Sequence, residues 1–221
     1  MPLVFGGGGN VFQRLQVMPH PLTKDVWIIG YSSPVGGMGG ASAYRVTVAD
    51  DGALALVQGP TDIGGSDIGQ QVVLRPDGKL MVMAGFSGGC TAAWQLPASN
   101  ALPTAAERIN ACNGNFSNGT HVAVRPASGF FYHSTPAGAL RVGEVTLGGG
   151  GALVDHGTMA VGTGDLQLAL AYGGSILVTA DAATGAVKAF TVGANETALT
   201  PVGSQTAPTG TRGLSVARCG R

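Results

Sequence analysis

Between Gln71 and Gly85, Val72 and Leu74 alternate with positions of the opposite face. Pro76-Asp77-Gly78 follows, and then Leu80 to Met83 runs continuously apolar. A period of two marks a strand with one buried face, and a short unbroken apolar run marks a strand buried on both. Proline pre-sets one turn dihedral, and Asp-Gly accepts the left-handed backbone of a tight turn. The stretch predicts two antiparallel strands joined at Pro76-Asp77-Gly78, with Leu80 to Met83 in the core.

The same pattern recurs along the chain. First strands are predicted at Leu15 to Pro19, Val72 to Pro76, Val122 to Pro126, Leu168 to Tyr172 and Leu214 to Arg218, with starts 57, 50, 46 and 46 residues apart. Second strands follow at Asp25 to Gly30, Lys79 to Gly85, Gly129 to His133 and Ser175 to Ala180. Third strands are predicted at Ala43 to Val48, Thr91 to Leu96, Ala139 to Val145 and Ala186 to Val192. Weaker fourth strands are predicted at Ala53 to Val57, Ala105 to Ala111, Ala152 to Val154 and Thr197 to Val202. Short connections make each strand antiparallel to the last. Four strands at this period form the blade of a β-propeller, since a lone unit cannot bury both faces of its sheet and stacked neighbours can. The expected fold is all-β, a small propeller forming one domain over 1–221. Its repeats are expected at about 11–60, 68–118, 119–163 and 164–207. Residues 1–9 and 208–221 would close the ring as a partial blade, giving four or five blades.

Composition supports β structure with many turns. There are 38 glycines, and charged residues make up 11% of the chain. Twelve basic residues balance twelve acidic ones, so no basic field exists to attract nucleic acid. The N-terminus lacks the basic and apolar regions of a secretory signal, and no apolar run approaches the ~18 residues of a spanning helix. Membrane insertion is therefore not expected.

Val72 to Gly85, Tyr44-Arg45, Ala49-Asp-Asp-Gly52 and Phe5-Gly-Gly-Gly-Gly9 resemble the delta-60 repeat, a bacterial propeller-forming repeat of about 55 residues. The likeness covers residues 1–96. Units three and four depart from it, with Ala127-Ser128-Gly129 and Gly173-Gly174 in place of Asp-Gly. The resemblance implies a propeller and carries no catalytic residues.

Candidate chemistry is sparse. His20, His121, His133 and His156 show no metal-ligand spacing, and His20 between two prolines reads as a loop residue. Asp62 and Asp67 flank a Gly-rich loop, but calcium needs about six to eight oxygens at defined spacing, so Asx turns are favoured over a calcium site. No other cofactor is expected. Cys90, Cys112 and Cys219 leave one cysteine over. Cys90 and Cys112 pair or all three stay free, the second being favoured. Asp25, Glu107, Glu144, Asp155 and Asp165 are scattered over different units, and no nucleophile elbow is present.

Binding is therefore the favoured class. Trp27 and Trp94 lie within strands and read as core. Tyr31, just past a strand end, reads as an exposed aromatic. The insert Pro97 to Asn118 reads as an exposed excursion whose Asn110, Asn113, Asn115 and Asn118 form a recognition loop. The reading is a non-enzymatic binding or assembly module, suited to a bacteriophage virion or tail component or another extracellular surface. Its partners would be protein subunits, including further copies of itself, or surface glycans. A lectin-like propeller and a hydrolase working at the propeller mouth are the alternatives.

Overall fold

The computed structural model describes residues 11–33, 40–64, 68–86, 91–96, 100–110, 116, 119–148 and 151–210. They form four antiparallel sheets of four strands each, every sheet a simple meander. The first sheet contains β1 (Val11–Pro19), β2 (Asp25–Ser33), β3 (Gly40–Val48) and β4 (Leu54–Asp62). The second contains β5 (Ile68–Leu74), β6 (Leu80–Phe86), β7 (Ala92–Gln95) and β8 (Arg108–Asn110). The third contains β9 (Val122–Val124), β10 (Phe130–Ser134), β11 (Ala139–Thr146) and β12 (Ala152–Ala160). The fourth contains β13 (Leu166–Ala171), β14 (Ile176–Asp181), β15 (Ala186–Val192) and β16 (Leu199–Thr206). The first strands β1, β5, β9 and β13 pack beside one another in chain order. The protein is a small all-β propeller of four-stranded blades.

Each gap between sheets is filled by its own apolar cluster. Met18, Trp27 and Ile29 meet Val72, Met81, Met83 and Trp94 between the first two sheets. Leu80 and Val82 meet Val122, Val124, Phe131 and Val145 in the next gap. Tyr132, Leu140 and Val142 meet Leu166, Leu168, Leu177 and Phe190 in the last. Leu80 to Met83 are fully buried because Met81 and Met83 fill one gap while Leu80 and Val82 fill the other. The Pro76-Asp77-Gly78 turn forms as expected. Gly78 donates its N–H to the Arg75 carbonyl at 2.8 Å and takes φ 69°.

Polar staples join neighbouring sheets at equivalent positions of the repeat. Arg75, one residue past β5, is buried and forks onto Asp77 at 2.8 and 2.7 Å. Its remaining Nη1 donates to the Ser128 carbonyl of the third sheet at 2.8 Å. Arg125 holds the corresponding place past β9. It donates to the Gly174 carbonyl of the fourth sheet and to Glu196. Burial alone would raise the Asp77 carboxyl, but the bonds from Arg75 and from the Lys79 N–H outweigh it and hold the pKa below the ordinary value.

The chain departs from expectation in three places. Residues Ala105–Glu107 form a 3-10 turn rather than the start of a strand, because Glu107 Oε2 accepts the Thr104 N–H at 2.7 Å. Residues 100–102 of the insert after β7 are held to the first sheet rather than free. Leu102 is buried against the first sheet and donates its N–H to Gln58 Oε1 at 3.1 Å. Asn100 bonds Asp25 through Nδ2 and accepts from Arg45 Nη1, both at 2.5 Å. Burial of the apolar Leu102 side chain favours that fold-back. Finally, β2 continues to Ser33, so Tyr31 lies within a strand opposite Ala41 rather than past its end.

The strands expected before residue 10 and after residue 212 lie outside the described residues, as do Cys90, Cys112 and Cys219.

Arg75→Met removes a buried fork and leaves the Ser128 carbonyl without that donor. It should lower the unfolding free energy by about 2–3 kcal/mol, read from the urea midpoint. Asp77→Asn, at a more exposed side chain, should cost less.

Candidate functional site

The inner strands share one further feature. In each of the last three sheets one equivalent inner-strand position is polar: Gln71 before Val72, His121 before Val122 and Gln167 before Leu168. Equivalent register brings these side chains together beside the axis. Gln71 Oε1 accepts the Val122 N–H at 2.9 Å, which orients its carboxamide. The same oxygen stands 3.2 Å from His121 Nδ1, so that nitrogen is the one carrying the proton. Gln167 Nε2 donates to the other ring nitrogen, Nε2, at 2.5 Å.

The imidazole is thus fixed in plane and tautomer by a carboxamide on either side, with its lone pair on Nε2. All three side chains are half-buried. A cavity of ≈ 270 Å³ lies between these inner strands, lined by Gln71, Val73, Ala123, Leu168 and Ala169, with Pro76 and Pro126 at its edge. His121 precedes Val122 of that wall without lining the cavity itself, and a tautomerically defined imidazole can take a proton from water and return it to a leaving group.

His133 contrasts with it. This residue of β10 is fully buried, and neither ring nitrogen has a hydrogen-bond partner. Its ring lies 6.4 Å from that of Phe116. A Cβ added at Gly119 would stand 1.8 Å from its Nε2, so only glycine fits there. Burial first, and then the Arg141 cation, push the imidazole down to about 4. His133 is a neutral core histidine.

The remaining histidines serve local structure. Burial chiefly lowers His20. Its Nδ1 accepts the Leu22 N–H at 3.4 Å, and its ring lies against Trp27. His156 reaches Glu144 at 2.9 Å and stacks on Phe130.

Among the sequence candidates, Trp27 and Trp94 are fully buried as expected. Tyr31 lies in β2 opposite Ala41, and Asn110 is the last residue of β8, opposite Ala92. Asn113, Asn115, Asn118 and Asp67 lie outside the described residues. Asp62 accepts the Gly64 N–H at 2.8 Å, an Asx turn. Among the described residues no group of three His, Cys, Asp or Glu could hold a metal ion. The triad of Gln71, His121 and Gln167 was not singled out by motif spacing. Its signal was a shared repeat position.

No protein-family model matches the sequence, and no curated protein matches it. Solved structures do. A Bacteroides uniformis protein provisionally designated a 6-phosphogluconolactonase aligns with TM-score 0.63 at 20% identity, over 91% of this chain and 60% of its own. The periplasmic gluconolactonase of Pseudomonas aeruginosa aligns with TM-score 0.54 at 18% identity, over 81% and 54%. Sqt1 of Chaetomium thermophilum, solved with the N-terminus of ribosomal protein L10, aligns with TM-score 0.58 at 16% identity, over 86% and 50%. The chain spans half to three fifths of the length of these proteins. At such identities the likeness establishes the fold.

The expectation of a non-enzymatic virion module is corrected by this comparison. It rested on a propeller mouth without gathered chemistry. Propellers named as lactonases are among the similar structures, and the mouth of this chain holds His121 between two carboxamides.

Because His133 titrates low when folded and near the ordinary value when unfolded, the unfolded chain binds the proton first. Stability should therefore fall as pH drops from about 6.5 to about 4, by about 3 kcal/mol, and level off below. Denaturation at stepped pH should show that slope, and His133→Leu should remove it.

Proposed function

We propose that the chain is a hydrolase of cyclic esters, with the reaction at the inner-strand mouth. The observation that carries this reading is the His121 imidazole, next in the chain to Val122 of the cavity wall, set by Gln71 as the Nδ1–H tautomer and met at Nε2 by Gln167. The lactonases among the similar structures favour an ester rather than another carbonyl substrate.

In this reading a water displaces Gln167 from His121 Nε2. Nε2 takes one proton as the water oxygen bonds to the lactone carbonyl carbon, and the carbonyl oxygen becomes an oxyanion. Collapse breaks the ring C–O bond, and the departing alkoxide takes the proton back from Nε2. The product is an open-chain hydroxy acid. Gln71, accepting from Nδ1–H, stabilises the imidazolium that forms. The Gln167 N–H groups, released from Nε2, are donors for the oxyanion.

Hydrolysis of glucono-1,5-lactone, followed by acid release and corrected for the spontaneous rate, tests this. The wild-type chain should accelerate ring opening, and His121→Ala should lower kcat/KM by ~100-fold or more with unchanged thermal stability. Gln71→Ala, which frees the tautomer, should cost less. No acceleration by the wild-type chain, or full activity in His121→Ala, would overturn the reading.

A further inference from the structure

At the outer edge of the gap between the third and fourth sheets, β12 and the pair β15–β16 stand around a cavity of ≈ 410 Å³. That volume falls within the ~300–1,000 Å³ of small-molecule sites. Met159, Val161, Phe190 and Pro201 give it apolar walls, and Lys188 and Ser204 are its polar side chains. Val161 and Phe190 belong to the apolar cluster of this gap, and Met159 packs against that cluster. The cavity therefore continues the core outward, with described strands on both sides.

Lys188 and Phe190 share a face of β15 by the strand period. Ser204 stands opposite Lys188 in the β15–β16 ladder, which brings the hydroxyl to the same face as the ammonium. Lys188 Nζ donates to the Val161 carbonyl at 2.5 Å. An ammonium carries three N–H donors, and Nζ has no second hydrogen-bond partner among the described residues. Lys188 is half-buried and makes no ion pair among those residues. Arg75, Arg125 and Arg141, by contrast, each meet a carboxylate, of Asp77, Glu196 and Asp155. Asp181, on the strand beside β15, accepts the N–H groups of Thr163 and Ala183 instead. A half-buried cation without a counter-charge carries a desolvation cost that a bound anion offsets.

We propose that this cavity binds a small carboxylic acid with an apolar tail. Its carboxylate lies on Lys188 and Ser204, and its tail lies against Met159, Phe190 and Pro201. One ammonium and one hydroxyl match a monoanion, because each carboxylate oxygen then accepts one donor. A phosphate dianion calls for more cationic donors than the cavity offers. The site is on outer strands, apart from the inner strands that carry His121, so this inference does not depend on the activity proposed above.

Calorimetric titration of the full chain with sodium hexanoate tests it. One equivalent should bind, and hexan-1-ol should bind about tenfold more weakly or worse, because it lacks the charge-assisted bond. Octanoate should bind more tightly than hexanoate, by about fourfold per buried methylene. Lys188→Met should weaken hexanoate about tenfold or more, Lys188→Arg should largely restore it, and His121→Ala should leave it unchanged. The comparison of acid with alcohol is made on the unaltered chain and stands whether or not a variant folds. No binding of hexanoate, equal affinity for the alcohol, no gain with tail length, or indifference to Lys188→Met would overturn the proposal. So would loss of binding in His121→Ala, which would put the acid at the inner-strand mouth.

Discussion

A four-stranded sheet that is apolar on both faces is unstable alone, and this constraint governs the rest of the structure. Burying one face leaves the other in water, so each sheet needs two neighbours. Leu80 to Met83 show it within four residues, since alternate side chains feed two different clusters. The order of the sheets, the alignment of the inner strands and the position of the mouth all follow from that demand.

Polar chemistry is placed by the same geometry. Stacking brings equivalent positions of successive repeats close to one axis. Arg75 and Arg125 therefore reach the next sheet at corresponding turns, and Gln71, His121 and Gln167 meet although about fifty residues separate them in pairs. Two histidines of one unit illustrate how burial assigns roles. His121 is held half-buried by two carboxamides, whereas His133, twelve residues on, is sealed among Phe116, Gly119 and Arg141 and kept neutral.

The resemblance to lactonase propellers bears on function only through this site. The same architecture also appears in a protein solved with a ribosomal peptide, so the fold alone selects no chemistry. In the proposed reading the oriented His121 imidazole supplies that selection.

Period-two alternation, the Pro-Asp-Gly turn and the recurrence of the repeat were legible in the sequence, because strand pairing and turn geometry are local. They determined an all-β propeller of four-stranded blades, the turn at Pro76 and the burial of Trp27 and Trp94. The insert after β7 was misread, since Leu102 finds its core only across the gap to the first sheet. The strand placement of Tyr31 and Asn110 was missed for the opposite reason: ladder pairing with Ala41 and Ala92 extends strands beyond what side-chain pattern shows. The meeting of Gln71, His121 and Gln167 depends on how far neighbouring sheets rotate about the axis. Only tertiary packing decides that rotation, and with it which polar side chains share a site.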